Sequence, residues 1–208
     1  MPGTCTTTSQ SSRRPRHDQR ESEREILDAA EQFLREHPWR EVTVQAIMER
    51  TDLARSAFYV HFKDRHELAL RVVDRIRAEL LVEANRWFEG EGEAGELRAA
   101  LEGVTAVYVE HGPVLKALSD ASGSDATVEA AYHELIQGFV DATDRHIREE
   151  QAAGRSPGLD AQETARALVW MVEAYLLEAL GAASDVEPAK VVDALVRIWS
   201  ATLYGLQG

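Results

Sequence analysis

One cysteine in 208 residues, Cys5, excludes an internal disulfide, so burial alone must hold the fold, and a reducing, cytoplasmic setting fits. No apolar run approaches the roughly 20 residues of a membrane-spanning helix. The basic residues of the amino terminus are not followed by the apolar core of a secretory signal. The seven histidines (17, 37, 61, 66, 111, 133 and 146) stand at no metal-ligand spacing, and no glycine-rich phosphate loop is present. His133 adjoins Glu134 in "YHEL", but neighbours on a helix point different ways. The sequence therefore gives no reason to expect a catalytic residue, a metal or a cofactor. Alternating strand patterns and internal repeats are also missing, which leaves an all-α chain.

Hydrophobic residues make up 44% of the sequence, enough for a sizeable core in one medium domain or two small ones. The net charge of −13 argues at first against a polyanionic partner. Its distribution reverses that impression: residues 1–66 are balanced, with eleven Lys/Arg and eleven Asp/Glu, and the whole excess of acid falls in 67–208. Residues 13–20, "RRPRHDQR", carry four arginines against one aspartate. A neutral head with a basic arm on an acidic body would approach a polyanion head first.

Residues 1–19 are Thr, Ser, Arg and Pro with almost nothing apolar, and read as a disordered basic arm. From Glu21 the spacing of Ile26, Leu27, Ala30, Phe33 and Leu34 predicts a helix that "HPW" (37–39) stops. Thr43 is placed to cap a second helix, with Val44, Ile47 and Met48 on one face. "TDLA" (51–54) reads as a turn with Asp52 in its left-handed position. A third helix follows, on which Phe58 and Phe62 share one face and Ser56, Tyr59 and Lys63 another. A linking helix is expected over Lys63–Trp87, then a break at "EGEGEAGE" (89–96). Beyond it the pattern predicts a helix from Leu97 to Glu110, a break at "HGP", a short helix to Leu118, and helices over 126–152, from Asp160 to Leu180 and over 188–204. Asp160 and Glu163 resemble a capping box. The total is about nine helices: a three-helix helix-turn-helix bundle over 20–66, then a larger helical unit over 67–208 for ligand binding and dimerisation.

The last two helices, "ARALVWMVEAYLLEAL" and "VVDALVRIWSATLYG", leave little polar face. Burial against a second copy, four helices about a two-fold axis, is the economical solution. The other is that both helices are central in a monomer.

A helix, a capped second helix, a turn and an aromatic third helix make a helix-turn-helix. The stretch "TVQAIMERTDLARSAFYVHFKDRHEL" resembles the TetR family of bacterial transcriptional regulators in the order and spacing of its apolar, aromatic and basic positions. The two last helices, with Tyr132 and Phe139, resemble the EthR-like branch. The resemblance implies a homodimeric repressor that binds a double-stranded DNA operator and keeps a small-molecule pocket in its carboxyl-terminal part. It also has departures: Ala54 stands where a capping Ser or Thr is usual, Ala57 where Thr is common, Asp52 where the turn has Gly, and Met48 and Thr51 where small residues are found.

Inside this motif Arg55 and Ser56 are candidates for base edges in the major groove. Thr43, Tyr59, His61, Lys63 and Arg65 are candidates for phosphate contacts. Ordinary surface charge is the alternative for Arg65, and half-buried packing for Tyr59. The arginines of the arm either track the duplex or keep the terminus soluble. For the pocket, Val107, Tyr108, His111, Leu115, Tyr132, Ile136, Phe139, Trp170, Met171, Leu177 and Trp199 converge from four helices, and large rings so placed rarely tile without a gap. Glu173 lies in an otherwise apolar helix, where a carboxylate must be bonded, solvated or paired. The expected effector is a largely apolar, neutral small molecule, and its binding releases a near-palindromic operator. The competing class is a helical carrier or enzyme that kept the helix-turn-helix as scaffold, marked by turnover and by no binding to DNA.

Overall fold

A computed structural model describes residues 19–90, 94–182 and 185–205. Among the described residues it is all helical: α1 (Gln19–Glu36), a 3-10 turn (Trp39–Glu41), α2 (Val44–Met48), α3 (Arg55–His61), α4 (Arg65–Phe88), α5 (Ala94–Ala121), α6 (Ala126–Ala152), α7 (Ala161–Leu180) and α8 (Pro188–Tyr204). None of these helices is long and apolar enough to cross a membrane. Apart from Gln19, the first residue of α1, the basic arm read over 1–19 lies outside the described residues.

The caps are local and legible. Thr43 accepts from the Ala46 amide at 3.1 Å and starts α2. Asp64 accepts from the His66 and Glu67 amides at 2.8 and 3.0 Å and starts α4; Asp160 accepts from Glu163 at 3.0 Å and starts α7. α3 has no such help, because Ala54 at its N-cap offers no side-chain oxygen, a deficit of about 1 kcal/mol. The inner rings outweigh it. Phe58 and Phe62 are fully buried, their centroids 5.4 Å apart, and truncating either would cost about 3–5 kcal/mol.

Four expectations are corrected. Asp52 does not adopt a left-handed backbone, since no described non-glycine residue has positive φ. The turn is closed by the Thr51 hydroxyl donating to the Met48 carbonyl at 2.9 Å and the Asp52 amide donating to Glu25 Oε1 at 2.8 Å. Lys63 does not share a helical face with Ser56 and Tyr59, because α3 ends at His61 and Phe62 is extended (φ −133°, ψ 134°). Lys63 therefore stands in the link before α4, which itself starts at Arg65.

"HGP" is not a break. α5 runs unbroken through Pro113, so the helix expected to end at Glu110 and the short one to Leu118 are one; the described residues hold eight α-helices and a 3-10 turn, in keeping with the all-α architecture of about nine helices. A proline within a helix costs about 3 kcal/mol. Burial on the carboxyl-terminal side offsets it: Val114, Leu115 and Leu118 are fully buried, and Gly112 lets α7 approach, since a Cβ there would lie 2.5 Å from the Leu180 carbonyl oxygen.

One apolar core runs from Ile26 of α1 to Leu203 of α8. α4 belongs to both ends of it: its Leu68 and Val72 are buried beside the head, and its Leu80 and Trp87 deep in the body.

Candidate nucleic-acid interface and ligand cavity

The outer face of α3 is open. Arg55, Ser56, Tyr59 and Val60 are exposed, and His61 is half-buried. Tyr59 is 57% accessible although its ring meets Phe58 edge-on at 5.4 Å, so its hydroxyl end is free to solvent while its ring is anchored. Thr43 and Lys63 are exposed at the start of α2 and just beyond α3. Six of the seven residues proposed from sequence for DNA thus gather on and around α3 and the start of α2.

Arg65 is occupied elsewhere. Its Nη1 donates to the Val42 carbonyl at 3.1 Å, and its guanidinium sits over the Trp39 ring at 5.0 Å. Beside it Asp125, the cap of α6, accepts from Trp39 Nε1 at 2.9 Å and lies 2.9 Å from His66 Nε2. Burial pushes the Asp125 carboxyl up, but the Trp39 indole, the Val128 amide and His66 outweigh it and hold the group down at about 2.

A second fastening joins α1 to α4 and α5. Glu31, buried in α1, accepts from Arg75 Nε at 2.8 Å and lies 3.1 Å from His111 Nδ1, while His111 Nε2 lies 3.0 Å from Glu79. A carboxylate near each ring nitrogen favours the imidazolium form. Glu31 raises the His111 value more than burial lowers it. Burial raises Glu31, yet His111 and Arg75 together bring it below its ordinary value. His111 therefore lies in a polar recess with Arg24, Asp28, Arg75 and Glu79, away from the apolar cavity.

That cavity lies in the body and is small, about 80 Å³. α4 supplies Leu80, Ala84, Trp87 and Phe88; α5 supplies Leu97, Ala100, Leu101, Val104 and Tyr108; α6 supplies Ile136, Phe139 and Thr143; α7 supplies Val169, Val172 and Glu173; α8 supplies Trp199. Tyr108, Ile136, Phe139, Glu173 and Trp199 were proposed from sequence. Tyr132 stands just behind the wall and donates its hydroxyl to Glu173 Oε1 at 2.6 Å. Val107, Leu115 and Leu177 are buried in packing, Met171 is partly buried, and Trp170 is at the surface with its ring 5.7 Å from His133. None of these five lines the cavity.

Sequence reasoning passed over Trp87 and Phe88. The adjacent pair at the end of α4 is the signal that could have found them. Trp87 donates to the Tyr204 hydroxyl at 3.0 Å, and its ring lies 4.1 Å from His146 and 5.4 Å from Trp199. Burial of Glu173 pushes its carboxyl up, against the Tyr132 hydrogen bond, and Tyr108 is raised by its own burial and by Glu173. Among the described residues no cluster could hold a metal ion.

With this geometry in place, comparison with known proteins is informative. Residues 97–205 match the domain family described as "Transcriptional regulator EthR, C-terminal domain", and residues 26–72 match "Bacterial regulatory proteins, tetR family". The chain is 26% identical over 197 residues to the HTH-type transcriptional regulator EthR of Mycobacterium tuberculosis (strain ATCC 25618 / H37Rv), covering 92% of this chain and 90% of that one. It is 27% identical over 202 residues to EthR of Mycolicibacterium smegmatis, covering 93% and 90%. Among solved structures, a transcriptional regulator (TerR/AcrR family) from Aquifex aeolicus VF5 superposes with a TM-score of 0.70 at 16% identity, over 86% of this chain and 98% of that one.

Proposed function

The chain belongs to the TetR family of bacterial transcriptional regulators, in its EthR-like branch, and on that premise we propose a ligand-responsive repressor that binds its operator as a dimer and is released by an apolar small molecule. In this reading 20–66 is the DNA-binding unit, 67–208 binds the ligand and the second copy, and 1–19 is a basic arm. Acting on the chromosome would place it in the cytoplasm.

One observation carries the proposal: α4 is a single helix whose first turn, through His66, abuts the Asp125 fastening under the head, and whose last turns, through Trp87 and Phe88, wall the cavity. Drug-sized ligands occupy roughly 300 Å³ or more, so one can enter the 80 Å³ cavity only by parting its walls. Displacing the far end of α4 re-aims the near end. Arg55 and Ser56 then address base edges, and Thr43, Tyr59, His61 and Lys63 address phosphates. Arg65, already bonded to Val42, positions the α3–α4 link instead of reaching the duplex. The partly exposed Tyr175 and Ile198 of α7 and α8, with Trp170, support dimerisation through these helices. Two recognition helices about 34 Å apart would match successive major grooves of a near-palindromic site.

The test is a gel shift on the intergenic DNA upstream of the protein's own gene, repeated across salt. With Arg55 and Lys63 of each subunit at the duplex, about four cations per dimer, log affinity against log salt should fall with a slope of about −3.6. A slope near zero would end the proposal.

A further inference from the structure

Glu173 is the one ionisable carboxylate among the described residues that line the cavity, and it has no cationic partner there. Its Oε1 accepts from the Tyr132 hydroxyl. The cavity that it lines is otherwise walled by aliphatic side chains, the hydroxyls of Thr143 and Tyr108, and five rings: Trp87, Phe88, Tyr108, Phe139 and Trp199. A carboxylate on an apolar wall is an expensive way to offer a hydrogen-bond acceptor, since an amide would do so without burying a charge. What it adds is a negative charge that a bound cation can neutralise. Ring faces favour the same partner, because their quadrupole attracts ammonium and its alkylated forms. The surroundings agree, for residues 67–208 carry the whole net charge of −13 and so attract cations and repel carboxylates such as fatty acids.

We infer that the effector is an amphipathic amine, its protonated nitrogen held at Glu173 among the aromatic rings and its apolar body along α4 and α5. This rests on reading the cavity as the effector site and replaces the neutral ligand expected from sequence with a singly cationic one that keeps the apolar body. Proton balance is simple. Burial raises the Glu173 carboxyl, an arriving ammonium favours its ionised form with any proton it holds passing to water, and the pair is then neutral overall.

Trp87 and Trp199 line the cavity, so their fluorescence reports occupancy. The full chain is titrated at neutral pH with octylamine, 1-octanol and octanoate, which share one chain and differ in head charge. The expected order is amine tightest, by roughly tenfold or more over the alcohol, with octanoate weakest. Glu173→Gln, which keeps the shape and an oxygen that can accept from Tyr132, should erase the preference for octylamine over octanol. Octanol binding as tightly as octylamine to the unaltered protein would overturn the amine but leave the apolar effector standing. Binding of none of the three would overturn both. The comparison on the unaltered protein decides even if Glu173→Gln fails to fold.

Discussion

Asp125 and Glu31 both fasten the head to the body, and they do so in opposite senses. Asp125 is a body residue, the cap of α6, that accepts from Trp39 below the head and from His66 at the start of α4. Glu31 is a head residue that reaches into the body for Arg75 and His111. The first rests in part on the Trp39 indole N–H, which donates at any ordinary pH. The second rests on the ionisable ring of His111 between two carboxylates. The second fastening is therefore the one with a titrating ring at its centre.

The largest effect should come from breaking the Glu31 fastening. Glu31→Ala leaves Arg75 and buried His111 without their shared carboxylate and should lower unfolding free energy by about 3 kcal/mol, read from the urea midpoint at pH 6. An unchanged midpoint would mean that the network is decorative. Asp125→Ala removes a helix cap and two side-chain hydrogen bonds, a loss of about 2 kcal/mol. Its mark is qualitative as well: Trp39 is the tryptophan at this fastening, so fluorescence should show the head loosening ahead of the body.

The pH response sharpens the contrast further. His111 is raised by Glu31 first, then by the charges of Glu79 and Glu110, with Arg75 beside Glu31 on the same recess. A raised histidine stabilises fully below its unfolded value of about 6.5, and that contribution is lost as pH rises through the folded value. Glu31, lowered, stabilises above the ordinary carboxylate range and loses its contribution as pH falls below it. The fastening should thus be strongest between the ordinary carboxylate and imidazole ranges, near pH 5–6, and weaken as pH rises through the raised value of His111. His111→Gln should flatten that upper limb in urea titrations. Asp125, depressed to about 2, should contribute fully above about pH 4 and respond to pH only in acid, where its contribution fades as pH drops towards 2. The smallest change touches neither fastening. Ala54→Ser supplies the cap that α3 lacks and should gain about 0.5–1 kcal/mol in the urea midpoint.

Much of this was legible in the sequence because much of it is local. Thr43 and Asp160 cap the amides three residues ahead of them, and the spacing of Phe58 and Phe62 specifies an inner face. Pro113 misled because what keeps α5 intact is remote: the Leu180 carbonyl packed on Gly112. Asp125 was not read as a fastening, since its partners lie 59 and 86 residues away. His111 was grouped with the cavity because Val107 and Tyr108 precede it, yet its side of α5 meets α1 and α4. The cavity was half visible: Tyr108 on α5, Phe139 on α6 and Trp199 on α8 announced it, whereas Trp87 was taken only for the end of a linker and Phe88 was passed over.

Pro113 also has a mechanical meaning. Lacking an amide hydrogen, it leaves the Val109 carbonyl without its rung, midway between Tyr108 at the cavity and Leu115 in the packed core. A column yields first where a rung is missing, and His111 sits at that level. A guest wedged against Tyr108 would flex α5 there, and the imidazolium that grips Glu31 would be among the first groups to swing.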